Sequence, residues 1–335
     1  MLKRITQYTS GFVLLMVSGC AFVNVSLTPP TAPMDEQVIE GKGRPKILLM
    51  DIAGFISEQG RSGRLGLQDK PSLVAQFKEE IQKAEQDRDI AGIIVKINSP
   101  GGTVSASDII YHEIVKFKQN RKVPVYAVIL GIGTSGGYYV AAGADTIYAH
   151  PTALTGNIGV LVMKFNIEGL LGKIGVEEET FKSGDKKDIL SLFRRDTPEE
   201  KEIIMSVIKS MNDRFIDAVA NGRKGVLSRA EVERLADGRI CTADQAVKAK
   251  LIDGVGYLDD AIANMIKSLG VEEARVVTYV HPGEYKPTIY STYQGERSSA
   301  FDMLRNDAGM MSPLPGWEFL YLWDSAIPSG ETMGR

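Results

Sequence analysis

Two apolar runs, residues 90–97 and 123–130, set the strongest limit on how this chain folds. A strand with one wet face alternates apolar and polar residues. A run with hardly a polar position is buried on both faces, the habit of parallel sheets covered by helices. Helical spacing fills the gaps around these runs. Leu73, Val74, Phe77, Ile81 and Ala84 recur behind Ser72, a candidate N-cap. Ile110, Ile114 and Phe117 follow Ser105-Ala106-Ser107-Asp108, which reads as a capping box. Strand, helix, strand in that order implies right-handed βαβ units, and so an α/β fold with a parallel sheet. The first strand is expected at residues 46–56, with others at 146–149, 160–165 and 276–280. Helices are expected at 135–143, 228–235, 243–248 and 257–269. A longer one opens at Thr197-Pro198-Glu199-Glu200 by cap, proline at N1 and acid at N3, and runs to about residue 220.

The second run ends in Gly133-Thr134-Ser135-Gly136-Gly137. A strand that runs into a glycine-bracketed serine at a helix start exposes a hydroxyl nucleophile to a backbone substrate. Glycine leaves room for close approach, and helix N–H groups favour the negative charge that develops on reaction. One strand earlier, Asn98-Ser99-Pro100-Gly101-Gly102 offers further backbone donors. The pattern implies acyl transfer.

A serine hydroxyl needs a base to take its proton. Three histidines are available, His112, His150 and His281. His150, at a strand end before Pro151, is the nearest after the serine and reads as structural. Lys182, Lys186 and Lys187 cluster around Gly184. A lysine is a base only when burial lowers its pKa from about 10.4, and spacing does not select among the three. With no CxxC and scattered histidines, no metal site is visible, and the chemistry requires no cofactor. Cys241 reads as a buried thiol in a helical region. A net charge of −3 gives no sign of nucleic-acid binding.

The N-terminus reads as an export or membrane segment. Lys3 and Arg4 precede an uncharged stretch, residues 5–27. In one reading Val17-Ser18-Gly19-Cys20 is a lipobox, residues 1–19 are a signal peptide and Cys20 is lipidated. In the other, residues 5–27 form a membrane anchor, since about 20 residues span a bilayer. Either places the catalytic body on the extracytoplasmic side. Residues 21–45, rich in proline, read as a tether, 46–280 as the catalytic domain and 281–335 as an extended tail. In that tail the aromatic cluster Trp317, Phe319, Tyr321 and Trp323 is a candidate docking element.

Four segments carry a family resemblance: Ile97-Asn98-Ser99-Pro100-Gly101-Gly102, Thr134-Ser135-Gly136-Gly137-Tyr138-Tyr139-Val140-Ala141, Thr155-Gly156-Asn157-Ile158-Gly159-Val160 and Lys182-Ser183-Gly184-Asp185-Lys186-Lys187-Asp188. Together, over about residues 46–269, they resemble the short form of bacterial signal peptide peptidase A (protease IV, peptidase family S49). The resemblance implies a fold similar to the Clp protease and crotonase superfamily. It implies Ser135 as nucleophile of a serine endopeptidase and Lys187, 52 residues on, as general base. Gly101 or Gly102 with Gly136 would bind the oxyanion. Asn157 stands where many members carry a serine that holds the lysine amine, and its amide oxygen can accept that bond. The implied substrates are apolar signal peptides left in the membrane after export, and other membrane-derived peptides. The implied setting is a homo-oligomer in the bacterial cell envelope, tethered through its N-terminus, with catalytic residues at subunit boundaries.

Other readings make different demands. A crotonase-like acyl-CoA enzyme needs neither a serine nucleophile nor an export signal. A Clp-type protease would place a histidine soon after Pro151, and residues 152–160 hold none. A non-catalytic membrane scaffold of the same fold, partnering stomatin-like proteins, would not react at Ser135 with a fluorophosphonate.

Overall fold

The structure, a computed structural model, describes residues 33–60, 71–291 and 320–322. Strands β1 (Asp35–Gly41), β2 (Lys46–Ala53) and β3 (Ile90–Ser99) are followed by a short β4 (Gly101–Thr103). Then come β5 (Val125–Thr134), β6 (Thr146–Ala149), β7 (Leu154–Gly156), β8 (Ile240–Thr242), β9 (Gly254–Val255), β10 (Arg275–Val280) and β11 (Leu320–Leu322). Among the described residues nine strands join one sheet, in the order β1-β10-β2-β3-β5-β6-β9, with β7 pairing β5 and carrying β8. In that sheet every pairing from β10 through to β9 is parallel, and β1–β10 and β7–β8 are antiparallel. The helices are α1 (Leu73–Gln86), α2 (Val104–Arg121), α3 (Gly136–Ala141), α4 (Glu168–Lys173), α5 (Pro198–Gly222), α6 (Arg229–Leu235), α7 (Ala243–Lys248) and α8 (Leu258–Leu269).

The two apolar runs become β3 and β5, at the centre of the sheet. Successive side chains of β3 go to opposite faces. Ile93, Val95 and Ile97 join a core with Phe77 and Ile81 of α1 and Ile110, Ile114 and Phe117 of α2. Ile94 packs in a second core with Leu258, Ile262 and Met265 of α8. Each such buried side chain contributes about 1.5–3 kcal/mol, which is why propensity matters less here than two-sided burial.

Local signals place the helix ends. Ser72 caps α1 by accepting from Ala75 N–H. Thr197 and Glu200 form the expected capping box of α5, with Pro198 at N1. α2 starts earlier than the sequence suggested: Thr103, not Ser105, is its N-cap and accepts from Ala106 N–H. Residues 160–165 are not a strand; Leu161 makes only an isolated bridge, to Leu320. Cys241 is buried as expected, but on β8 rather than a helix.

Two domain boundaries also change. Residues 35–41, expected within the tether, form β1, because their backbone completes the edge of β10. Residues 281–291, expected as extended tail, are fastened to the sheet by buried charge. Lys96 of β3 donates to the carbonyls of Ile289 and Ser291, both at 2.8 Å, and pairs with Asp51 at 2.9 Å. Lys286 reaches the other oxygen of Asp51 at 2.6 Å. The lipobox, the anchor segment and Trp317, Phe319 and Trp323 lie outside the described residues. No helix among the described residues is long and apolar enough to cross a membrane.

Glu80 of α1 is buried, with Gln76 Nε2 donating to its carboxyl at 3.1 Å. Desolvation pushes this carboxyl up to about 8, against a smaller opposing pull from Lys286. The unfolded chain releases the proton near 4.5 while the folded chain keeps it to about 8, so stability is full below pH 4.5 and falls as pH rises to 8. Glu80→Gln removes that loss. Its melting temperature, compared with the parent by calorimetry, should match at pH 4.5 and exceed it by at least about 3 °C at pH 8. A difference that does not change with pH would show that Glu80 is ionised in the fold.

Candidate active site

β5 outruns its neighbour β6. It pairs with β6 along 126–129 and with β7 along 132–134. The Ser135 N–H then donates to the Gly156 carbonyl at 2.8 Å, one step beyond that ladder. Ser135 sits there with φ 53° and ψ −118°, as the N-cap of α3. This is backbone a side chain rarely adopts, at a cost of about 1–3 kcal/mol, and strain of this kind concentrates at functional sites. Strand, sharp turn and helix follow one another here, the order of a serine nucleophile elbow. The Ser135 side chain is buried, and its Oγ has no hydrogen-bond partner among the described residues. A buried hydroxyl without a partner costs about 1–3 kcal/mol and calls for a reason.

The three glycines meet beside it. Gly101 has φ +111°. A Cβ there would lie 2.9 Å from Gly136 N, and a Cβ on Gly136 would lie 3.1 Å from Gly102 N. The Gly101–Gly102 turn and Gly136 therefore lie against each other, a closeness that only glycine allows. Ile56 uses one edge of β4: its N–H donates to Gly101 O and its carbonyl accepts from Thr103 N–H, both at 2.9 Å. Alternation along a strand turns the N–H and C=O of Gly102 to the other edge.

Asn157, at φ 52°, follows the carbonyl that holds Ser135. Its Nδ2 donates to Gly238 O at 2.6 Å, so the amide nitrogen faces away into that loop. The sequence thus brings Ser135, Gly101, Gly102, Gly136 and Asn157 into one place.

The lysine loop is held by its own ion pairs. Lys182 pairs with Asp188 at 2.7 Å and Lys186 with Glu199 at 2.6 Å. Arg194 grips Asp188 through Nε and Nη2, at 2.8 and 2.7 Å, and also binds Glu200 at the start of α5. Those contacts hold the Asp188 carboxyl well below the usual range, and the hydrogen bonds from Arg194 and Thr197 take Glu200 down to about 2. Lys187 is exposed and has no ion pair among the described residues. Because Ser135 Oγ has no hydrogen-bond partner among the described residues, Lys187 is not bonded to it within the chain. His150 makes ring contacts with Tyr257 and Tyr290, at 5.3 and 6.1 Å between centroids, and burial pulls its pKa down.

The sequence did not reveal the neighbour on the open edge of β4. β11 pairs there, with Tyr321 opposite Gly102. The aromatic cluster was visible as a docking element, but the edge it serves depends on the folded position of Gly102. Beside the site, an open cleft of about 640 Å³ is lined by Ile158, Val160, Met205, Ile208 and Ala236, among others.

Over most of its length the chain is similar to known proteins. The family model for peptidase family S49 matches residues 117–272, and that for Clp protease matches residues 65–155. A candidate signal peptide peptidase SppA of Enterococcus faecium is 35% identical over 245 residues, 73% of this chain and 70% of that protein. A candidate protease of Synechocystis sp. is 35% identical over 279 residues, 82% of this chain and 92% of that one. The chloroplastic serine protease SPPA of Arabidopsis thaliana is 30% identical over 81% of this chain and 39% of its own length. With a Clp-protease-like α/β fold and this degree of identity over most of its length, the chain belongs to peptidase family S49 and is a serine peptidase of the SppA kind.

Proposed function

We propose that the chain is a membrane-tethered endopeptidase that degrades the apolar remnants of signal peptides with a Ser135–Lys187 dyad. The observation that carries this reading is the Ser135 turn: a buried hydroxyl without a partner among the described residues, on strained backbone, where the Gly101–Gly102 turn lies against Gly136. Lys187 is the candidate base because Lys182 and Lys186 are engaged in ion pairs while it is not. Since it is exposed on the protomer, it serves the serine of a neighbouring copy in a homo-oligomer, where the interface buries it and favours the neutral amine. Asn157 would position the amine through its amide oxygen.

The steps follow from that arrangement. The neutral amine of Lys187 takes the Ser135 proton as Oγ adds to a peptide carbonyl. Gly102 and Gly136 N–H groups, with Gly101 shaping the turn, hold the oxyanion. The lysine returns the proton to the leaving amine, then activates water to release the acyl group. The apolar cleft beside the site suits an apolar peptide, and the name of the Enterococcus faecium relative points to signal peptides. The N-terminus, by lipid on Cys20 or by a span at 5–27, would keep the enzyme in the bacterial envelope facing outward, where such remnants lie.

Ser135→Ala and Lys187→Ala should each lower peptide turnover at least ~10³-fold while the proteins stay folded. A fluorophosphonate should label Ser135 in the parent and not in Ser135→Ala. If the dyad spans subunits, co-assembling the two inactive variants restores about a quarter of the sites. No recovery would place the base within the chain, and full activity in Lys187→Ala would remove it as base. Radiolabelled palmitate should enter the parent and not Cys20→Ala; its absence from the parent would leave the anchor segment as the tether.

A further inference from the structure

Ser99, the last residue of β3, is fully buried and pairs in register with Gly133, just ahead of the nucleophile turn. Its hydroxyl joins two segments that the strand ladder does not. It donates to the Gly54 carbonyl at 2.6 Å and accepts from Gly101 N–H at 3.1 Å. A hydroxyl has one hydrogen to give. The Gly101 carbonyl lies further off, at 3.3 Å, and already accepts from Ile56 N–H at 2.9 Å, so that hydrogen goes to Gly54. Gly54 is held on its other side as well, its N–H donating to Asn98 O at 3.0 Å.

The turn that Ser99 holds has little of its own to fix it. Pro100 has no N–H, and Gly101 sits at φ +111°. Each backbone polar group of these two residues is tied to a different part of the chain. Gly101 N–H goes to Ser99 Oγ, Gly101 O takes the Ile56 N–H, and Pro100 O takes the Thr134 hydroxyl at 3.3 Å. Thr134 precedes the nucleophile, so the turn is registered against Ser135 through it. Ser99 also abuts the start of α3, since a Cβ on Gly137 would lie 2.8 Å from Ser99 O. Packing alone does not call for a hydroxyl at this position, where alanine would fill most of the same space. The hydroxyl has a chemical consequence instead. It commits the Gly101 amide, while the amide of Gly102 faces the opposite edge of β4 from Ile56.

Resting on the peptidase reading above, we infer that Ser99 is a positioning residue for the reaction. Its hydroxyl withholds the Gly101 amide from substrate and sets the turn so that Gly102 N–H is the donor the developing charge meets. Ser99 itself touches no substrate. It acts through Gly102, and chiefly once the carbonyl has become an alkoxide, because a fixed donor favours the charged oxygen far more than the neutral one. Alanine at this position leaves the buried Gly101 N–H without its partner. The turn then relaxes toward another acceptor, and Gly102 moves with it. Binding of the uncleaved peptide is spared and the chemical step is slowed.

The test uses the full chain. Peptide turnover is measured per active serine, counted by carrying fluorophosphonate labelling of Ser135 to completion, so that a loss of folded protein does not register as a loss of rate. Ser99→Ala should lower kcat per labelled serine at least ~10-fold. A peptide aldehyde, whose addition to Ser135 Oγ creates a charged oxygen at the same donors, should bind at least ~10-fold more weakly. Affinity for the uncleaved peptide, measured in Ser135→Ala with and without Ser99→Ala, should agree within ~2-fold. Ser99→Cys fills the same space with a poor acceptor and should show the same losses, which keeps the inference open to refutation if Ser99→Ala does not fold. A smaller fall in kcat overturns the inference. So does a fall matched by an equal loss of peptide affinity, which would make Ser99 a general support of the binding surface. If the parent neither takes up the fluorophosphonate nor turns over any peptide, the peptidase reading itself fails, and this inference with it.

Discussion

The N–H of Ser135 donates to the carbonyl of Gly156 at 2.8 Å, and that bond fixes how β5 ends. β5 has left β6 by then and follows β7. The bond pins the chain where it turns from strand to helix, and the turn forces Ser135 to a φ of 53°. The rest of the site depends on this geometry. It sets Gly136 against Gly101 and Gly102, and four residues on it buries Tyr139 against Phe215 and Tyr321. It also places Asn157 directly after the carbonyl that holds the serine. Strain at one residue is offset by two-sided burial of the strands that lead into it.

Glycine at 101 and 136 is a requirement of contact rather than of flexibility. A Cβ on Gly101 would meet Tyr321 O at 1.9 Å, and one on Gly136 would meet Ser107 Oγ at 2.4 Å. The two glycine turns belong to different strands, 34 residues apart in the case of Pro100 and Thr134, whose hydroxyl donates to the Pro100 carbonyl at 3.3 Å. Side-chain-free backbone at both turns lets them close to van der Waals distance.

The lysine loop shows a second constraint, charge pairing. Arg194 ties Asp188 to Glu200, so the loop is anchored to the first turn of α5. Lys182 and Lys186 are drawn into that network of acids. Bringing the chain's end back to the sheet uses charge as well, here buried: Lys96 and Lys286 share Asp51 beneath residues 286–291.

The sequence by itself determined the α/β class, the central strands and the identity of the site segments. Two-sided apolar runs, caps at Ser72 and Thr197, and glycines flanking Ser135 are local features, and each has a local physical cause. It could not show β1, because Asp35–Gly41 is polar and becomes a strand only by meeting the free edge of β10. Nor could it show that residues 160–165 stay irregular, or that Thr103 rather than Ser105 caps α2. Tertiary structure alone decided that the Gly101–Gly102 turn meets Gly136, that two of three lysines are spent on neighbouring acids, and that Tyr321 lies opposite Gly102. Those are contacts between segments far apart in the chain, set by packing and strand edges, which no stretch of sequence carries on its own.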